Sequence, residues 1–428
     1  MKKFKFCAVT LIICLQCTML TGCFDRRELD DLAYPIALGF DKGKANELRM
    51  TLQLAVPTNI AGGEGGGGGD GAESVAVVTV DTPTIYSGLN MLNTFVSKQI
   101  NLSHVKAIIF SQELAKQGVS KYLHAMIRNR EFRPNARVIV SRGSAEEFIG
   151  AVQPKLETNP AKYYEQLLSG YKYTGFTADS QLITFYHETE SNTLQPVAIL
   201  AGVNGFKSSD DFDIKNSTYK QKDRTQPLEG DFLAGDLTKT GDLKIEVMGL
   251  AVFNGGKMIG EIDGEETTFH LMVQGEFNST YLTMPDPMKS GNFVVLDVSR
   301  SRITKKEVQM VGDKPKLYAS VFLESDILSI QSGIDYESMD NIGKLEGAAE
   351  EFIKKGIIRY LDRTIKEFGS DINGFGKEAK GKFLTWKEWE QFDWLSKYKE
   401  STYDVEVDVK IRRPGLITKS IPEVRNNN

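Results

Sequence analysis

Cysteine is nearly absent from this chain: four in 428 residues, at Cys7, Cys14, Cys17 and Cys23. The body beyond residue 23 therefore has no disulfide framework, no thiolate nucleophile and no cysteine metal site. Histidine is as scarce. His104, His124, His187 and His270 stand isolated, and neither HExxH nor GxSxG occurs, which leaves no legible metalloprotease or serine-hydrolase constellation. No apolar run reaches the ~20 residues that a membrane-spanning helix requires. An excess of positive charge is lacking too, with 52 basic against 57 acidic residues, which disfavours a nucleic-acid partner. What remains, 41% hydrophobic and 25% charged, is ordinary globular composition in a length sufficient for two or three domains.

The N-terminus is the most informative stretch. Lys2, Lys3 and Lys5 precede an apolar run from Cys7 to Leu20, and Leu20-Thr21-Gly22-Cys23 follows. A basic head, a short apolar run and small residues before the cut describe a secretory signal, residues 1–22. The Leu-x-Gly-Cys ending looks like a bacterial lipobox. It implies diacylglyceryl attachment at Cys23, cleavage between Gly22 and Cys23, and a protein tethered to a membrane through its lipid. Losing three lysines leaves the mature chain more acidic.

Residues 23–200 read as an α/β domain. Strands are expected at Tyr34–Phe40, Leu48–Val56, Val75–Val80, Val105–Phe110, Arg137–Val140 and Val197–Leu200. Helices are expected after Pro83, from Glu113 to Ile127, and over Ala145–Val152 and Ala161–Leu168. A glycine-rich run, 62–71, reads as a flexible loop. Its GxGxxG match from Gly66 is trivial, since the strand-turn-helix frame of a dinucleotide site is missing. Arg128, Arg130, Arg133, Arg137 and Arg142 crowd one short stretch. They suit either a contact with anionic headgroups or an acidic partner surface or, preferably, solvated charges paired locally with Glu131 and neighbouring acids at strand ends.

A middle domain, 201–290, holds a polar centre and a strong hairpin signal, Lys244–Phe253 and Lys257–Ile262 around Asn254-Gly255-Gly256. Asp210-Asp211-Phe212-Asp213 lacks the glycine and glutamate of a calcium loop. Glu265 and Glu266 read as first-turn charges of a helix. Residues 291–428 form an α+β domain. Strands are expected at Phe293–Val298 and Lys316–Glu324, with a long helix from Ile342 to a stop at Gly369. In a terminal strand Tyr403, Val405, Val407, Val409 and Ile411 alternate with polar residues. Gly376 to Lys382 mimics a phosphate loop but has Phe383 where Ser or Thr must hold Mg²⁺. Trp386, Trp389 and Trp394, with Phe383 and Phe392, are expected in the core. The fold class is thus mixed α/β and α+β in three domains, with no cofactor expected.

Cys23-Phe24-Asp25-Arg26-Arg27-Glu28-Leu29, Gly249-Leu250-Ala251-Val252-Phe253, Asp371-Ile372-Asn373-Gly374-Phe375-Gly376 and Ile411-Arg412-Arg413-Pro414-Gly415-Leu416-Ile417 together resemble the Ger(x)C family. These are lipoprotein C subunits of bacterial spore germinant receptors. Phe24 stands where the pattern has tryptophan. The resemblance implies a three-domain, mixed α/β lipoprotein on the outer face of the spore inner membrane, in a receptor that senses nutrients; the missing catalytic motifs leave no enzyme expected. The lipoprotein would support two integral-membrane subunits, A and B, and need bind no small molecule itself. A lipid-anchored solute-binding protein is the alternative.

Overall fold

Two apolar patterns organise the folded chain, near-continuous runs in the strands of the first half and strict alternation in those of the second. The first builds a sheet buried on both faces, the second a sheet with one dry and one wet face. The computed structural model describes residues 28–56, 74–157, 159–205, 226–300 and 302–413, with a few positions before residue 11. The lipobox with Gly22 and Cys23, the glycine-rich run, Asp210 to Asp213 and the stretch after Arg413 lie outside the described residues.

The first sheet takes eight strands: β2 Pro35–Lys42, β3 Leu48–Ala55, β4 Val75–Thr82, β6 Ala107–Ser111, β7 Arg137–Ser141, β8 Val197–Val203, β9 Ile245–Asn254 and β10 Lys257–Ile262. Their spatial order is β10-β9-β8-β7-β6-β2-β3-β4. β2, β6, β7 and β8 are parallel, and an antiparallel pair extends the sheet at each side. A two-residue strand β1, Leu32–Ala33, pairs in parallel with β5, Gln99–Ile100. One face is covered by α1 Ile85–Leu92, α3 Ser120–Ile127 and α6 Leu182–Thr189, the other by α4 Ala145–Ala151 and α5 Pro160–Leu167. Instead of one helix from Glu113 to Ile127 there are two, α2 Gln112–Gln117 and α3, because Gly118 adopts φ +123° between them.

The second sheet contains β11 Ser279–Pro285, β12 Phe293–Arg300, β13 Lys305–Val311, β14 Lys314–Ile330 and β15 Thr402–Arg413. β14 is much longer than the expected Lys316–Glu324. It pairs with β13 and β12 along one side and with β15, in parallel, along the other. Val405, Val409 and Ile411 are buried, while Tyr403 and Val407 are half-buried over the same face. That face is covered by α8, Met339–Asp362, whose axis continues as a π-helical turn, Arg363–Phe368. Three short helices follow: α9 Phe375–Lys380, α10 Trp386–Phe392 and α11 Trp394–Lys397.

The segment expected as a middle domain is shared between the two sheets. Its hairpin, β9 and β10, completes the first sheet, and β11 is an edge of the second. Between them lies α7, Gly264–Gln274, buried at every residue through Val273. A single apolar cluster joins Leu250, Val252 and Ile262 of the first sheet to Phe269 and Met272 of α7 and to Leu317, Val321 and Ile353 beyond. The hairpin cannot be separated without exposing that shared core.

Candidate functional site

Open α/β sheets take ligands at the carboxyl ends of their parallel strands. At that edge of the first sheet lies a groove of about 520 Å³ lined by residues of β2, β6 and the turn after β7. The groove's chemistry is satisfied from within. Both oxygens of Asp41 accept backbone N–H groups at the start of α4, from Ala145 at 2.8 Å and Glu146 at 2.9 Å. Burial nevertheless pushes its carboxyl above the usual carboxylate range. Arg49 is held by Asp81 and Glu146, both at 2.8 Å, and Lys42 pairs with Glu113 at 3.1 Å. Arg142 pairs with Asp236 at 2.9 Å. The amides at the start of α4 and the side chains of Lys42, Arg49 and Arg142 already have carboxylates of the chain itself.

A dense polar structure lies at the joint between the sheets. Asp371 is fully buried. Its Oδ1 accepts the amides of Asn373, Gly374 and Phe375 at 3.1, 2.9 and 3.3 Å. Its Oδ2 accepts the Gly376 amide at 2.7 Å and the Trp394 indole N–H at 3.0 Å. Only N–H donors face this carboxylate, so its acceptor-only, ionised form matches the site although burial acts to raise its pKa. The same turn reaches the first sheet. The Gln195 amide donates to the Asp371 carbonyl at 2.8 Å, and the Ser370 hydroxyl donates to the Phe253 carbonyl at 2.8 Å. Lys306 of β13 donates to the Asn373 carbonyl at 2.7 Å.

A second chain of bonds runs inward from this turn. The Tyr360 hydroxyl donates to Asn373 Oδ1 at 2.8 Å and lies 2.8 Å from His270 Nδ1. With the tyrosine proton so engaged, His270 donates from Nδ1 and is neutral. Burial holds its pKa at about 4, against an ordinary 6.5. A histidine depressed in the folded state weakens that state as pH falls from the unfolded value to the folded one, here from 6.5 to about 4, by roughly 3 kcal/mol in all. Glu188 on α6, half-buried and pushed up to about 7 by burial, has the opposite sign over an overlapping window. The expected result is therefore a difference. The stability cost of His270→Asn should be smaller at pH 5 than at pH 7.5 by about 2 kcal/mol. Denaturant unfolding at both values checks it, and a pH-independent cost would contradict the neutral-histidine assignment.

Sequence-level site residues fare unequally. Glu265 and Glu266 do open a helix, capped by Asp263, and they pair with Arg359 at 3.6 Å and with Arg363. Trp389 and Trp394 are buried, but Trp386 is 54% exposed, with Lys380 over its ring, and is not core. Gly376 to Lys382 lies mostly in α9, with Gly376 packed against the Thr193 backbone. The arginine cluster divides. Arg137 and Arg142 sit in ion pairs at opposite ends of β7, whereas Arg128, Arg130 and Arg133 are exposed on one loop. The His270–Tyr360–Asn373 chain left no mark in the sequence, since its members are far apart along it. Among the described residues no group of His, Cys, Asp and Glu could hold a metal ion, and no helix is long and apolar enough to cross a membrane.

Comparison with known proteins returns two family models in succession. Residues 25–202 match the spore germination protein N-terminal domain, and residues 248–415 match the spore germination B3/GerAC-like C-terminal domain. Spore germination protein KC of Bacillus subtilis (strain 168) is 24% identical over 96% of each chain. Spore germination protein GerQC of Bacillus cereus is 18% identical over 95% of this chain and 98% of its own. The crystal structure of the GerBC protein superposes with a TM-score of 0.52 at 15% identity, covering 87% of this chain and 96% of that one, a likeness of fold.

Proposed function

Because this chain belongs to the Ger(x)C family of spore germination proteins, we propose that it is the lipid-anchored C subunit of a nutrient germinant receptor. In this reading the signal is cut between Gly22 and Cys23, Cys23 carries a diacylglyceryl group, and the body lies on the outer face of the spore inner membrane. There it supports the integral-membrane A and B subunits and binds no nutrient itself. The observation that carries the reading is the match to germination proteins over 96% of a chain that carries Leu20-Thr21-Gly22-Cys23 after a basic head and an apolar run. A lipid-anchored solute-binding protein would need an open cleft between its lobes. The seam between these sheets is instead filled by α7 and the Asp371 turn.

Two acyl chains meet the condition for stable anchoring, and holding the body beside its partners raises its effective concentration, an effect on the order of 100-fold or more. Cys23→Ala is expected to abolish acylation, leave precursor or released protein, and weaken nutrient-triggered germination. Metabolic labelling with an acyl-chain precursor is the check, and labelling equal to the wild type would refute the anchor.

A further inference from the structure

The end of the first sheet where the chain enters carries an exposed surface that neither the core nor the seam explains. Cys23 lies nine residue steps before Leu32 of β1, and an extended chain spans at most about 3.6 Å per residue, so a lipid at Cys23 lies within roughly 30 Å of β1. β1 pairs with β5, which brings the turn after α1 beside the tether. The loop after α3 joins the same surface. Its Glu131 accepts the Leu102 amide at 3.2 Å, and its Arg133 donates to the Ser103 carbonyl.

Two kinds of residue are exposed there. Phe95 is 58% and Met91 39% exposed, large apolar groups left in water. Lys98 on the turn after α1 and Arg128, Arg130 and Arg133 on the loop after α3 are exposed too, and among the described residues none of the four is held in an ion pair. The carboxylates at this end are Glu131, tied to the Leu102 amide, Glu165 and Asp179, paired with Lys106 and Arg137, and Glu28, Asp30 and Asp31 beside the tether.

We propose that this end of the first lobe is a membrane-docking face for an anionic bilayer. Met91 and Phe95 enter the boundary between headgroups and acyl chains, and the four cations meet lipid phosphates. Exposed apolar side chains on the same surface as lysine and arginine are the combination that holds a protein at a lipid interface. The tether places that surface within reach of the bilayer, which favours lipid over a protein as its occupant. The inference rests on the lipid anchor proposed above, and it adds an orientation. The body lies on the membrane by this end, with the β2–β3 turn about 25 Å further out along β2.

The test uses the mature lipidated chain, whose only cysteine is acylated, so that Phe95→Cys and Asn46→Cys each supply one thiol for a fluorophore. The proteins are reconstituted into phosphatidylglycerol vesicles with brominated acyl chains. Quenching of at least about half is expected at position 95 and none at position 46, in the β2–β3 turn. Equal quenching at both, or none at 95 in protein that floats with the vesicles, overturns the docking face and leaves the anchor standing. Protein that does not float overturns both. Quenching at 95 that requires added membrane subunits would assign the surface to a protein partner and so overturn the proposal. An unlipidated Cys23→Ser chain provides an independent arm. Its partition onto phosphatidylglycerol vesicles should fall about five-fold for each of Arg128, Arg130 and Arg133 replaced by Ala, on the order of 100-fold for all three. Partition unchanged by the triple replacement overturns the cationic half of the face.

Discussion

Asp371→Ala is expected to cost at least about 4 kcal/mol and to loosen the two sheets from each other. The substitution strands five buried N–H groups, and each unmet donor costs about 1–3 kcal/mol. Total stability of ordinary proteins is only about 5–15 kcal/mol, so most of it would be lost. The loss should also be local in a recognisable way. The turn that Asp371 organises delivers the carbonyl that Gln195 binds and the hydroxyl that binds Phe253, so contacts to β8 and β9 fail with it. Hydrogen exchange is expected to accelerate first in residues 193–196 and 370–376. Asp371→Asn keeps the shape but turns an acceptor into a donor facing N–H groups, and should cost an appreciable fraction of the same amount. A melting temperature within about 2 °C of the wild type for Asp371→Ala would mean that this turn is not the joint.

A comparably large effect is expected at Gly356, in the middle of α8. A Cβ there would lie 2.0 Å from the ring of Phe269 on α7, closer than any real contact. Since α7 is buried from Gly264 to Val273, it has no direction in which to retreat. Gly356→Val should therefore cost upwards of about 3 kcal/mol through overpacking. Gly347, nine residues earlier on the same helix, has open space where its Cβ would go, and Gly347→Ala should stabilise by about 0.5–1 kcal/mol. The opposite signs separate close approach from helix propensity. A Phe269→Leu background should relieve part of the Gly356→Val cost, and a double-mutant cycle by denaturant unfolding measures that coupling. Additive costs would show that the two helices do not meet as described.

How much of this was legible beforehand follows from the range of the forces involved. The parallel strands β6 and β7, the hairpin of β9 and β10, the amphipathic α8 and the alternating β15 were all readable, because each announces itself by periodicity within a dozen residues. Where reading failed, a non-local contact or a backbone choice had decided. The glycine at 118 split one expected helix because a single residue took a conformation that periodicity does not record. Trp386 stayed exposed at the first position of the short α10 while Trp389, one turn on along the same face, is buried, a difference that periodicity does not record.

By itself the sequence determined the mixed α/β character and the family. These depend on local pattern or on motifs whose residues are adjacent. Tertiary structure alone decided that the middle hairpin completes the first sheet, that α7 is enclosed between both sheets, and that Asp371 is a joint. Asp371 illustrates the reason. Its five donors come from a turn of neighbouring residues and from a tryptophan 23 positions away, while the strands it secures lie more than a hundred residues upstream. The value of a buried carboxylate comes from where those donors converge, and convergence is a property of the packed chain.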